Sequence, residues 1–409
     1  MKQTIQWKNK SVQVEIGLIL ILILFGLTSC FALYNSFNLI KTGSGYSYLF
    51  RQAFWFLIGF VCLFLLSKIQ NNKLYGYMKK AYIVLMLCLV YLFLSRMLNK
   101  FTGYTLPFAS ETNGAISWIV LPIIGSFQPS EFIKIVLIVM VSQIIVEHQS
   151  EYPNPTYKQD FYLLLKIIKV VFPPLLLILI QPDTGVCIII AFNIFVLLCC
   201  SGIRKEYIIA IFALILVAFG GFFFLYFCYP DILSSVISSY KLQRIDAWLD
   251  PDSYILGSSN QLYTALLSLG SAGLAGYGLQ ANIISIPEAH TDFIFAAIGQ
   301  CFGLIGTTFI LIICVLLDIY LCRIAYSAKN RQDKLIVVGV VAMLMYQQIQ
   351  NIGMIVGLLP ITGITLPLIS YGGSSTLSYF ISFAIIYNIS PASKKTIQLN
   401  RRHKKHKLI

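Results

Sequence analysis

The chain has 409 residues, of which 58% are hydrophobic and only 11% are Asp, Glu, Lys or Arg, and its formal net charge is +14. A soluble domain of this length needs a charged surface that such a composition cannot supply, whereas a bilayer solvates an apolar exterior directly. The charge excess does not mark a nucleic-acid binder either. It lies between apolar runs and in a tail, with seven of the 30 Lys and Arg between Lys394 and Lys407, as in loops and a tail that face anionic lipid.

Spanning the hydrocarbon takes about 20 apolar residues. Runs near that length occur at 14–34, 52–70, 81–96, 131–147, 161–180, 184–202, 206–228, 293–322, 335–359 and 367–390. The chain therefore reads as a single all-α polytopic membrane domain over 1–409, with about ten transmembrane helices. The first run is too long for a signal-peptide core and no small-x-small cleavage site follows it, so it reads as a retained span. The third run is short and the eighth long, which predicts tilt or a break. With residues 1–13 inside, the inner segments carry 21 Lys and Arg and the outer segments 6. This bias predicts that both termini, including the basic tail 391–409, are cytoplasmic.

Two outer segments are long, 97–130 and 229–292. The second, between the seventh and eighth spans, holds Asp231, Asp246, Asp250, Asp252, Glu288 and Asp292 out of 16 acids in the chain. Its apolar stretches at 265–274 and 283–286 predict re-entrant or interfacial helices rather than disorder. The cysteines fall inside apolar runs, without CxxC or Cys/His spacing. They read as small buried residues, not as a zinc or redox site.

Charged residues at membrane depth are expensive and so informative. Glu131 and Lys134 lie three apart on one helix face, where they can pair. Asp183 follows Gln181-Pro182 and precedes a span, where an N-cap role explains it as well as a functional one. Pro287-Glu288-Ala289-His290-Thr291-Asp292-Phe293 closes the long outer segment. Thr291 or Asp292 fits an N-cap there, and the Glu, His and Asp together also suit proton transfer. In Ser370-Tyr371-Gly372-Gly373-Ser374-Ser375, two adjacent glycines break an apolar run, and the freed N–H groups and hydroxyls suit an anion as well as tight helix packing. No Walker loop, HExxH or GxSxG elbow is present.

Four segments together resemble the signatures of the SEDS family (shape, elongation, division and sporulation proteins), which includes RodA, FtsW and SpoVE. They are Ser126-Phe127-Gln128-Pro129-Ser130-Glu131-Phe132-Ile133-Lys134, Gln181-Pro182-Asp183-Thr184-Gly185, the Pro287–Phe295 segment and Pro367-Leu368-Ile369-Ser370-Tyr371-Gly372-Gly373-Ser374-Ser375. Asn113-Gly114-Ala115 with Trp118, Asn351-Ile352-Gly353-Met354, and Leu359-Pro360 with Thr362-Gly363 add to the likeness. The chain departs from the family at Gln300-Cys301, where a Glu pair is usual, at Thr264-Ala265, in Gly270-Ser271-Ala272-Gly273, and at Ser117.

The resemblance implies a peptidoglycan glycosyltransferase of the bacterial cytoplasmic membrane that polymerises lipid II with a class B penicillin-binding protein, in elongation, division or sporulation. It implies Asp292 as the catalytic acid/base, and Glu131, Lys134 and Asp183 as polar residues of a central cavity. Arg244, Glu288, His290, Thr291, Ser370, Gly372, Gly373 and Ser374 complete the expected substrate-binding set, Lys134 and Arg244 being the candidates for the leaving diphosphate. A divalent cation, Mg or Mn, suits that chemistry, though no ligand spacing demands one. A lipid II flippase and a non-catalytic scaffold remain the alternatives.

Overall fold

Each of the ten apolar runs contains a helix in the computed structural model, which describes residues 4–7, 10–13, 15–40, 45–112, 115–121, 125–237, 239–255, 257 and 259–389. Asn113-Gly114 and the basic tail 391–409 lie outside the described residues. The helices in chain order are α1 (Ile16–Asn35), α2 (Gly45–Leu66), α3 (Asn71–Thr102), α4 (Pro129–Glu151), α5 (Tyr157–Ile180), α6 (Thr184–Cys199), α7 (Lys205–Cys228), α8 (Pro230–Val236), α9 (Ser239–Leu249), α10 (Asn260–Ser271), α11 (Ile294–Ser327), α12 (Arg331–Ile355) and α13 (Gly373–Ile389). Eight of them, α1 to α5, α7, α11 and α12, are long and apolar enough to cross a membrane. The protein is thus a multi-pass membrane protein. Of the other two expected spans, α6 has 16 residues and α13 has 17.

The third helix is longer than its hydropathy suggests, because its first turns carry Lys73, Lys79 and Lys80 and their polarity hides the helix. The last helix starts later than expected: residues 367–372 are not helical, and α13 opens at Gly373. The 97–130 segment ends in an antiparallel sheet that the sequence did not announce, with strands β3 (Ala109–Thr112), β4 (Ala115–Leu121) and β5 (Gly125–Phe127) in the order β3-β4-β5. A two-stranded hairpin, β1 (Thr4–Trp7) with β2 (Lys10–Gln13), precedes α1.

Helices α4 and α12 form the centre, with most of their length buried, whereas no residue of α7 is buried. Glu131 and Lys134 therefore sit on an enclosed helix, where packing restricts their rotamers.

The long eighth run is one helix broken at Gly303, whose φ of 57° and ψ of −147° lie outside the helical region. A break at membrane depth frees backbone groups that lipid cannot satisfy. Here the preceding loop satisfies them. Leu304 and Ile305 donate N–H bonds to the carbonyls of Gly273 and Leu274, at 3.0 and 3.1 Å. In return Tyr277 and Gly278 donate to the carbonyls of Gln300 and Cys301, both at 2.9 Å. Any Cβ on Gly303 would lie 2.5 Å from the Gly273 carbonyl oxygen, so this close approach requires glycine.

The unusual Gln300-Cys301 pair belongs to this same docking. Gln300 is fully buried, accepts the N–H bonds of Ile283 and Ile284 at 2.8 Å each, and donates to the Ile284 carbonyl at 3.1 Å. The departure from the family pattern thus falls on a clamp that holds the loop. Within the 229–292 segment, α10 buries Leu262, Ala265 and Ser268 against α11 and α12, and Trp248 on α9 donates its indole N–H to the Gly357 carbonyl at 3.0 Å. The expected helix at 265–274 is therefore present as α10, whereas 283–286 is not helical.

Candidate functional site

At the end of the bundle where α4, α6, α11 and α13 begin lies a cavity of about 1190 Å³. Its wall comes from the start of α2, the β3–β5 sheet, the N-termini of α4 and α6, α9, the 287–292 loop and the segments 362–365 and 371–375. Six charged residues line it: Arg51, Glu131, Asp183, Arg244, Glu288 and Asp292. Thr291, Gly372 and Gly373 of the expected set line it too.

The N-cap of α11 is Phe293, with no side-chain capping bond, so the Asp292 carboxylate is not spent on the helix end. It is open to the cavity over part of its surface and sits against Gly363, whose ideal Cβ would lie 3.3 Å from Asp292 Oδ2 and 3.9 Å from Arg244 Nη1. Burial pushes its carboxyl up to about 7, and the nearby Glu288 carboxylate adds to this, against an opposing pull from Arg244. Glu288 has a φ of 52°, unusual for a non-glycine residue, and its Oε2 accepts the Thr291 hydroxyl at 2.9 Å. Arg244 on α9 donates from Nη1 to the Ile361 carbonyl at 3.2 Å.

Asp183 does two things at once. Its Oδ1 accepts the Val186 N–H at 3.3 Å as the N-cap of α6, and its Oδ2 accepts Gln128 Nε2 at 2.8 Å and the Ser130 hydroxyl at 3.1 Å. Burial, together with the Glu131 carboxylate, raises its carboxyl above the usual range, although Val186, Ser130 and Lys134 pull the other way.

Four residues of the expected set lie behind the wall. Lys134 is 1% exposed, and its Nζ donates to both Glu131 oxygens at 2.9 and 3.0 Å. Its charge is therefore neutralised before any ligand arrives. His290 packs between the Tyr48 and Tyr371 rings, its centroid 4.6 and 6.2 Å from theirs, and its burial lowers its basicity. Its carbonyl accepts the Tyr371 N–H at 3.0 Å. The Ser370 hydroxyl accepts the Leu366 N–H, and the Ser374 hydroxyl accepts from Gln128 N and donates to Ser126 O. The Gly372 N–H is likewise taken, by Gln52 Oε1 at 3.2 Å.

The sequence reading passed over Arg51, Trp55, Gln347, Gln243 and Gln261 on the wall. Arg51 was legible only as an outer charge, and uncharged amides and aromatics inside apolar helices carry no signal. Gln347 joins the wall to the core by accepting the Tyr379 hydroxyl at 2.9 Å. Among the described residues no group of three or more His, Cys, Asp or Glu side chains is placed to hold a metal ion.

A multi-pass membrane protein with a charged cavity at one end of its bundle is the class that this fold and site define. Residues 13–395 match the cell cycle protein family that groups FtsW, RodA and SpoVE. The chain is 33% identical over 287 residues to stage V sporulation protein E of Bacillus subtilis, covering 69% of this chain and 73% of that one. It is 32% identical over 286 residues to the peptidoglycan glycosyltransferase MrdB of Escherichia coli K12, covering 69% and 72%. Among solved structures it superposes with a TM-score of 0.71 on a chain from a study of a peptidoglycan synthase complex that coordinates polymerization and crosslinking. That match has 22% identity and covers 96% of this chain and all of the other. The protein belongs to the FtsW/RodA/SpoVE family.

Proposed function

We propose that the protein is a peptidoglycan glycosyltransferase that polymerises lipid II at the outer face of the bacterial cytoplasmic membrane, releasing undecaprenyl diphosphate. The observation that carries this reading is the uncapped Asp292 carboxylate, raised to about 7 and facing a charged cavity beside Arg244. A general base works best when its pKa lies near the working pH.

In the reaction the 4-hydroxyl oxygen of an acceptor sugar attacks the anomeric carbon of a donor sugar. The new C–O bond forms as the bond from that carbon to the diphosphate breaks, and the hydroxyl proton passes to Asp292. The diphosphate leaves with the bonding electron pair, and Arg244 and Arg51 on the cavity wall meet its charge. Glu131, Asp183, Thr291 and Glu288 offer acceptors and donors to sugar hydroxyls. No step needs Lys134, whose partner is Glu131.

The ten-helix topology belongs to this proposal: both termini cytoplasmic, 229–292 outside, and α6 and α13 counted as spans across a single domain. A class B penicillin-binding protein is its partner, in keeping with the synthase complex among the similar structures. A flippase needs a path to both faces, whereas the cavity lining belongs to one end of the bundle, where Glu131 and Gln347 are held by Lys134 and Tyr379. A scaffold reading drew on Gln300-Cys301, which serve the loop clamp.

Purified protein supplied with lipid II, with and without such a partner, is expected to make glycan chains. Lipid II that crosses vesicles without polymerising would instead establish the flippase. For the topology, a cysteine at Ser258 in a cysteine-free background is expected to react with an impermeant thiol reagent in intact spheroplasts. Labelling only after lysis would invert the orientation and remove the site from the outer face.

A further inference from the structure

We propose that Asn351 is the positioning residue for Asp292, holding the segment that bears this carboxylate and the 361–365 loop facing it at one fixed separation. The inference rests on the reading of Asp292 as the base. Asn351 is fully buried on α12, a helix with most of its length buried. Its side-chain amide donates to the carbonyl of Asp292 and to the carbonyl of Ile364, both at 2.7 Å. One amide nitrogen has two hydrogens, and both are used, one for each strand of chain. The orientation of the amide is fixed by this, because turning it over would point its oxygen at two carbonyl oxygens. The Asn351 Oδ1 has no partner among the described residues, so this side chain is retained at the cost of an unsatisfied buried acceptor.

The two segments it joins determine where the carboxylate lies. Nothing at the start of α11 caps with a side chain, so the helix end does not fix Asp292. On the other side, the carboxylate rests on Gly363, which has a φ of 69° and whose ideal Cβ would crowd Oδ2 at 3.3 Å. Arg244 is tied to the same loop through the Ile361 carbonyl. Base, opposing guanidinium and wall thus refer to one loop, and Asn351 sets the distance from that loop to the base. A displacement of about 1 Å at a reacting group costs about 10²-fold in rate.

The experiment compares Asn351→Ala, the near-isosteric Asn351→Asp and Asp292→Asn in the purified full chain with lipid II. Both Asn351 variants are expected to lose about 10²-fold in kcat with little change in KM. Burial against two carbonyl oxygens keeps an Asp at this position protonated, and its single O–H serves only one of the two carbonyls, so Asp is expected to fail although it fits. Glu288 and Arg244 are the charged groups that act on Asp292. Loosening it from Glu288 and from its buried seat moves the acid limb of the pH–rate profile to lower pH, a readout that a merely structural role would leave in place. Parent-like kcat, or lost activity with the limb unmoved, would overturn the proposal. Should the Asn351 variants fail to fold, Gly363→Ala decides, since it crowds Oδ2 from the cavity side without emptying the core. An unmoved limb and rate there would overturn it as well. An active Asp292→Asn removes the base and this inference together, whereas an inactive Asp292→Asn beside parent-like Asn351 variants removes the inference alone.

Discussion

Replacing Asp292 by Asn is expected to lower glycan polymerisation by about 10²–10⁴-fold, the usual contribution of a positioned base, while the protein still folds. The amide keeps the size and much of the hydrogen bonding of the acid but has no useful proton affinity at neutral pH. A capping role would have confused this test, because Asn caps a helix nearly as well as Asp. Phe293 holds the cap position of α11 without any side-chain bond, so little helix stability depends on residue 292. Chain formation from lipid II measured beside the melting temperature decides the matter. Substantial polymerisation by the Asn variant would move attention to Glu288 or Asp183.

The same carboxylate predicts two pH dependences. With its value near 7, the base is half ionised at neutrality, so kcat/KM is expected to rise with pH and level off above about 7. The stability effect has the opposite sense. An unfolded chain ionises Asp near 3.9, and the folded state resists ionisation until about 7. The stability gained from a neutral Asp292 is therefore complete below about pH 4 and lost as pH rises through about 7. At pH 8 Asp292→Asn is expected to melt no lower than the parent, and a markedly lower melting temperature would contradict the assignment.

Hydropathy made the long apolar helices legible because lipid demands an apolar run from every span, and it failed where that demand lapses. The lysine-bearing start of α3, the short amphipathic α8 and α9 and the strands β3 to β5 lie where water or protein supplies the partners. Glu131, Asp183 and Asp292 stood out because a charge at membrane depth must have a reason. Which way each charge points was not legible. Lys134 and Glu131 share one helix face, yet only Glu131 reaches the wall of the cavity. His290 and Ser374 sit in conspicuous motifs but serve packing and backbone bonds. Asn351, with no charge and an ordinary place in an apolar helix, shows its significance only through two carbonyls that are 59 and 13 residues away along the chain.

Glu131→Gln is expected to be the most destabilising conservative change in the bundle, at about 3–5 kcal/mol, the usual cost of stranding one member of a buried ion pair. The pair is asymmetric: the Lys134 side chain is 0% exposed and the Glu131 side chain 10%, on the cavity side. Removing Glu131 leaves an ammonium sealed among apolar helices, because both hydrogen bonds found for Lys134 Nζ end on Glu131. Removing Lys134 as Lys134→Met leaves a carboxylate that water in the cavity can reach, so the loss is expected to be smaller. It is not zero, since Asp183 lies close enough to feel the uncompensated Glu131 charge. The double exchange Glu131→Lys with Lys134→Glu retains the pair and turns that repulsion from Asp183 into attraction, so it is expected to melt above Glu131→Gln. Thermal unfolding of the four proteins in one detergent tests the order. Equal losses for the two single variants would mean that the cavity does not hydrate Glu131, and no loss in either would mean that the pair contributes nothing to holding the N-terminal turn of α4 in place.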